Sequence, residues 1–154
     1  MRLITTPEIL KLVGAGKLFT DGFRPGNLSA QDTYTFSLGA SFTKVFAHGL
    51  IDAGSRDDVR FITQRLAPEG ETMHPGQFLH FKTAEILDLD ARIICLLSTH
   101  RKMAELGLDF LQSSTLVQPG SKGRLTLETS NRGPCTVLLK PGLKVVKAMF
   151  FDIN

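Results

Sequence analysis

Residues 97–108 read LSTHRKMAELGL, and this stretch carries the clearest local signals in the chain. Its apolar start predicts the end of a strand, and Thr99 could accept a hydrogen bond from a free amide of a first helical turn. Gly107 could supply the left-handed backbone that ends a helix. We therefore predict a strand, a Thr99 cap, and a helix of about two turns that stops at Gly107.

Two cations lie at an unusual place in this predicted helix. Arg101 and Lys102 fall in the first turn, where the helix dipole is positive and a cation costs about 0.3–1 kcal/mol. An anion bound at the free amides would reverse that cost, so the stretch is a candidate phosphate site. The alternative is that both side chains extend into water.

Composition places the chain among ordinary globular proteins. Its length of 154 residues predicts one domain, residues 1–154. The content of 42% hydrophobic and 21% charged residues is typical of a globular protein and predicts no membrane-spanning segment. The net charge of +3 is spread along the chain, so we expect no nucleic-acid partner. The first residues lack a signal-peptide core, and Cys95 and Cys135 make no disulfide framework; both observations predict a cytoplasmic protein.

The rest of the chain predicts a mostly β protein with a short N-terminal helix. That helix starts at the Thr5 cap, presents Ile9, Leu10 and Val13 on one face, and ends at glycines. Short β-rich runs follow, at residues 34–38, 41–46, 78–83, 93–97, 125–129, 136–139 and 145–151. Pro-Gly turns at 75–76, 119–120 and 141–142 each precede a predicted strand, which favours a small barrel or jelly roll.

Two segments leave alternatives open. Residues 52–73 are polar and predict a long excursion, in which residues 59–62 could form a short strand. The last strand has more apolar surface than one face of a small sheet needs. Contact with another subunit would explain this surplus, and so would burial by a loop of the same chain.

Several short motifs occur in an order that is typical of one superfamily. The opening LITTPEI with GKL, the strand YTFSLG and the turn PGQF are similar to its L-S-x-x-D-I with G-x-L, Y-D-L-R-L-G and P-G-E-F. Residues 100–108, QPG at 118–120, LE at 127–128 and PG at 141–142 stand where it has R-S-S-L-A-R-L-G-L, D-P-G, L-E and P-G. The chain thus resembles the dCTP deaminase and dUTPase superfamily over nearly its whole length, and the dCTP deaminase branch most closely.

The resemblance implies a dUTPase-like jelly roll, assembled as a homotrimer with nucleoside triphosphate sites between subunits. In the deaminase branch a glutamate activates water for attack on cytosine C4 without a metal, which makes Glu128 the candidate general base. Strand alternation places Glu128 opposite the apolar Leu125 and Leu127, on a face where it could also simply be a surface carboxylate that pairs with Arg124 or another neighbour. No cofactor is expected, and Mg²⁺ could bind through the nucleotide phosphates.

In the deaminase branch, arginine and serine side chains of the R-S-S-L-A-R-L-G-L motif hold the triphosphate, and we call them the triphosphate clamp. This chain departs from the superfamily pattern mainly at these positions. His100 replaces the first arginine, Arg101 and Lys102 the serine pair, and Glu105 the second arginine. Gln118 replaces the aspartate of D-P-G, and because an amide takes no proton from water, we expect no dUTPase-type hydrolysis. The candidate nucleotide- and phosphate-binding residues are Thr99, His100, Arg101, Lys102, Gln112, Ser113, Ser114 and Gln118.

Other chemistries lack their motifs. The H-x-E and P-C-x-x-C pattern of zinc deaminases is missing, and the four histidines do not have the spacing of a metal site. In the loop after the helix, Phe110 could stack on a base, although a core position is the favoured interpretation.

Two hypotheses follow. In the first, the protein is a catalytically impaired trimer that binds a phosphorylated nucleotide for regulation or sequestration. In the second, it is an active, divergent deaminase of dCTP or a modified pyrimidine nucleotide, and Glu128 is its base. The changed clamp and Gln118 favour the first hypothesis, and retention of Glu128 favours the second.

Overall fold

The alternating apolar residues fold into antiparallel strands in the computed structural model, which describes residues 1–154. The strands are β1 (Arg2–Leu3), β2 (Phe19–Asp21), β3 (Tyr34–Phe46), β4 (Arg60–Arg65), β5 (Glu71–Met73), β6 (Phe78–Thr83), β7 (Ile86–Asp88), β8 (Ile93–Thr99), β9 (Leu108–Asp109), β10 (Leu116–Val117), β11 (Lys122–Gly123), β12 (Thr126–Asn131), β13 (Val137–Leu139) and β14 (Lys144–Asp152). The helices are α1 (Thr6–Gly14) and α2 (Arg101–Glu105), and Pro25–Asn27 form one 3-10 turn. This is the predicted mostly β fold with two short helices.

The main sheet has nine strands and curls around the core. Its order is β10-β8-β14-β3-β6-β12-β9, with β1 on β14 and β4 on β3. The runs at 34–38 and 41–46, predicted as two strands, form the single long strand β3, which pairs with β14 in its first half and with β6 and β4 further on. A cluster of 27 buried hydrophobic residues fills the interior.

Helix α1 begins as predicted. The Glu8 carboxylate accepts hydrogen bonds of 2.8 Å from both the backbone N–H and the hydroxyl of Thr5, and together with Arg2 these lower the pKa of Glu8 to about 2. The predicted apolar face was wrong at Leu10, which is 48% exposed. Ile9 is fully buried and Leu12 packs beside it, because residues three apart share a helix face.

Helix α2 is shorter than predicted and has a different cap. Thr99 is still extended, because β8 continues through it and pairs it with Val146 of β14. His100 is the cap instead, and its Nδ1 accepts a hydrogen bond of 3.2 Å from the N–H of Lys102. Gly107, with φ of +84°, ends the turn that follows the helix, as predicted.

The segment 52–73 is more ordered than an excursion. It contains β4, which is longer than the predicted 59–62 strand and pairs with β3, and it also contains β5, which pairs with β13. Residues 55–58, which precede β4, are exposed.

The apolar surplus of the last strand is buried within the chain. β14 lies between β3 and β8, and Val145, Val146, Ala148 and Phe150 are fully buried in the core. A register shift between residues 144 and 146 turns two consecutive valines inward. Subunit contact is therefore not needed to explain this strand.

Candidate functional site

A pocket of about 220 Å³ lies between β12 and the loop that joins β9 to β10. It contains the candidate general base Glu128 and three of the candidate nucleotide-binding residues: Ser113, Ser114 and Gln118. Its apolar walls are Leu97, Phe110, Leu111, Leu116, Val117, Leu125 and Leu127. We call it the β12 pocket. Apolar walls combined with converging polar groups are common in ligand sites.

Glu128 lies at the polar side of this pocket. Its neighbours Leu127 and Thr129 are buried, so alternation along β12 turns the Glu128 side chain outward, as predicted. The hydroxyl of Ser113 donates a hydrogen bond of 2.6 Å to Glu128 Oε2. The alternative pairing with Arg124 does not form, because Arg124 donates instead to the backbone carbonyls of Thr83 and Ala84.

The loop that carries Ser113 is hydrogen-bonded to two strands, β12 and β8. The N–H of Gln112 donates to the backbone carbonyl of Glu128 at 3.4 Å, and the N–H of Leu97 donates to the carbonyl of Thr115 at 2.7 Å. Ser114 exchanges hydrogen bonds with the backbone of Leu116, which closes a tight turn. These bonds hold Ser113 where its hydroxyl reaches Glu128.

Phe110 is a core residue, which confirms the favoured interpretation. It is fully buried, and its ring centroid lies 6.5 Å from that of Phe81. Phe110 therefore forms part of the pocket wall and does not project as a free stacking surface.

The other candidates do not line the β12 pocket: they are Thr99, His100, Arg101, Lys102 and Gln112. Of these, Gln112 contacts Glu128 through its backbone N–H. A candidate phosphate ligand is also engaged locally: Arg101 Nε lies 2.7 Å from Glu105 Oε1, with side chains 87% and 59% exposed. Glu105, which stands in the position of the superfamily's second arginine, thus forms an ion pair with Arg101.

The surroundings of His100 include cations that the sequence did not assign to a site. Partial burial lowers the pKa of His100, and the charges of Lys147, Lys102 and Lys144 lower it further. Lys144 is exposed and Lys147 is partly exposed. They belong to β14, some 40 residues along the chain, so only strand pairing brings them near α2.

Two structural findings bear on metals and membranes. No group of three or more His, Cys, Asp or Glu side chains is arranged to hold a metal ion. No helix is long and apolar enough to cross a bilayer.

Comparison with known proteins identifies the family. Residues 3–153 match the family model described as dCTP deaminase-like. The dUMP-forming dCTP deaminase of Methanobrevibacter smithii is 27% identical over 155 residues, which cover 97% of this chain and 80% of that protein. The dCTP deaminase of Halorubrum lacusprofundi is 30% identical over 96 residues, or 61% of this chain and 47% of that one.

The fold has matching solved structures. The Agrobacterium tumefaciens 2'-deoxycytidine 5'-triphosphate deaminase superposes with a TM-score of 0.76 at 18% identity; the match covers 97% of this chain and 48% of the length of that one. The Streptococcus mutans dUTPase superposes with a TM-score of 0.53 at 15% identity over 90% and 94% of the two chains. The order of motifs, the curled sheet and the family match agree, and the chain belongs to the dCTP deaminase-like family.

Proposed function

We propose that the protein binds a cytosine deoxynucleotide with its base in the β12 pocket and deaminates it, with Glu128 as the general base. The observation that carries this proposal is the 2.6 Å hydrogen bond from Ser113 to Glu128 in the β12 pocket. A carboxylate fixed at one oxygen keeps the other oxygen available for a proton from water.

The chemistry requires one proton carrier. A water molecule adds to C4 of the base, and Glu128 takes one proton from the water and delivers it to N3. Glu128 then takes the remaining hydroxyl proton and passes it to the amino group, so that the C4–N bond breaks, ammonia leaves, and a uracil nucleotide with C4=O and N3–H remains. The triphosphate stays intact, because Gln118 stands in place of the aspartate that serves the dUTPase reaction.

A neighbouring copy of the chain would complete the site. Glu128 and the cations around His100 do not share a cavity in the single chain. In a homotrimer, α2 of one copy could lie beside the β12 pocket of the next and supply Lys102 and the β14 lysines to the phosphates. We propose this arrangement, in which Mg²⁺ enters only through the nucleotide phosphates.

A second candidate function is nucleotide binding without turnover, for regulation or sequestration. The Arg101–Glu105 ion pair favours it, because it occupies one cation and puts an acid in the place of a clamp arginine. Fewer charge-assisted contacts would cost both affinity and rate, at about a factor of ten for each 1.4 kcal/mol.

The test incubates the purified protein with dCTP, dCMP and deoxycytidine and follows product mass and bound ligand. We expect a gain of about one dalton with the phosphates retained, no turnover in Glu128→Gln, and a loss of about 10- to 100-fold in Ser113→Ala. Glu69→Gln, which changes an exposed carboxylate elsewhere, is the matched control.

The outcomes separate the candidates. Bound dCTP that is recovered unchanged would establish the second function and contradict the first. A protein that neither binds nor converts any of the three compounds would contradict both. Light scattering gives the oligomeric state in the same samples, and a monomer that turns over dCTP would refute the completion of the site by a neighbouring copy.

A further inference from the structure

A second cleft, of about 500 Å³, lies where β3 and β6 fall out of register. Leu38 pairs with Thr83 and Phe42 pairs with Phe81, so three residues of β3 face the single residue Lys82 of β6. A bulge of this kind opens the ladder and redirects side chains. We call this opening the bulge cleft. It shares no lining residue with the β12 pocket.

The charges of the bulge cleft are all positive. Its lining includes Arg24, Lys82 and Arg124 and contains no Asp or Glu. None of the three cations lies within 4.0 Å of a carboxylate, although six ion pairs form elsewhere on the protein. The cleft is therefore a local excess of positive charge in a protein whose net charge is only +3.

Hydrogen bonds hold the side chains of Lys82 and Arg124 and the backbone of Arg24 in position. Lys82 Nζ donates to Thr126 Oγ1 at 2.5 Å, and Arg124 Nη1 donates to the backbone carbonyls of Thr83 and Ala84. The backbone N–H of Arg24 donates to the hydroxyl of Tyr34 at 3.1 Å, and Tyr34 is itself fully buried. Each cation keeps further N–H donors free, since an ammonium has three and a guanidinium five.

We propose that the bulge cleft binds an oligophosphate, either an inorganic one or the phosphate chain of a nucleotide. Three like charges in one cleft repel each other, and an anion with several charges relieves that repulsion while it accepts the free N–H donors. A cleft of about 500 Å³ has room for a chain of two or three phosphates. The proposal does not depend on catalysis at Glu128.

The test measures inorganic triphosphate binding by calorimetry at constant ionic strength. We expect Lys82→Gln and Arg24→Gln each to weaken binding about tenfold, since each removes one charge-assisted contact. Lys11→Gln removes an exposed lysine outside the cleft and should bind like the unaltered protein. Thermal unfolding of each variant verifies that the fold is intact, and Arg24→Gln, at an exposed position, serves if Lys82→Gln fails to fold.

Two further measurements distinguish a nucleotide from an inorganic oligophosphate and separate this proposal from the proposed deamination. Competition by dCTP but not by deoxycytidine would show that a nucleotide is held by its phosphate chain, and triphosphate binding without such competition would point to an inorganic ligand. Glu128→Gln should bind triphosphate normally, so failure of the proposed deamination does not affect this result. The proposal is overturned if Lys82→Gln and Arg24→Gln bind within twofold of the unaltered protein, or if Lys11→Gln or Lys102→Gln loses binding instead.

Discussion

Glu128 shows how far a strand pattern alone can locate a candidate catalytic side chain. Alternation between Leu127 and Thr129 determines that it points away from the core, and the structure confirms this. Its partner Ser113 lies 15 residues earlier, in a loop with no periodic pattern. Only the pairing of β9 and β12 brings that loop over Glu128, so the sequence could name both residues without predicting their contact.

His100 combines a structural and an electrostatic role. Its Nδ1 accepts the N–H of Lys102, which requires a neutral ring. Burial and three lysines, of which Lys147 has the largest effect, favour that neutral form. Protonation would remove the cap of α2 and place a fourth positive charge in the cluster.

We predict that His100 titrates below its ordinary value of 6.5 in the folded protein. Because the folded pKa is lowered, the stabilising effect is complete above pH 6.5 and is lost as the pH falls through the folded value. NMR titration of the ring should show this pKa, and Lys147→Gln should raise it. Lys11→Gln is the control, and an unchanged His100 pKa in Lys147→Gln would contradict the electrostatic cause.

At the scale of elements, α2 depends on a close backbone approach. Gly107 has φ of +84°, and a Cβ at this position would lie 2.4 Å from the Cα and N of Gly133. The carbonyl of Gly107 also accepts a 2.8 Å hydrogen bond from Arg132. The sequence predicted the left-handed turn here, and the structure adds that a second segment packs directly against it.

We predict that Gly107→Ala destabilises the protein by about 2–5 kcal/mol, the sum of a left-handed backbone penalty and overpacking. Gly76 is the matched control, because its φ is +83° and a Cβ there meets nothing within 4 Å. Gly76→Ala should cost only about 1–2 kcal/mol. Urea unfolding measures both, and equal losses would show that the contact with Gly133 is unimportant.

At the scale of the whole molecule, the single core of 27 residues determines which groups solvent can reach. Cys95 of β8 is fully buried, and burial raises the pKa of its thiol. Cys135 is exposed near the end of β12. The chain therefore contains one thiol that reagents in solvent can reach, Cys135, and one that they can reach only when the core opens, Cys95.

We predict that a thiol reagent modifies one cysteine rapidly in the native protein and both in denaturant. Cys135→Ser should abolish the rapid reaction, and the remaining thiol should then react only as fast as the core opens. Two rapid thiols in the native protein would mean that β8 is less protected than the fold implies. Absorbance of the released reagent follows both reactions.

The sequence by itself determined where most of the long strands lie, the Pro-Gly turns, the start of α1 and the left-handed glycine, because these depend on neighbours a few residues away. It also determined the order of motifs that places the chain in its family. The tertiary structure decided which candidates meet: Ser113 with Glu128, Arg101 with Glu105, and the β14 lysines with His100. The bulge cleft likewise exists only after folding, because it arises from the register of two strands that are distant in sequence.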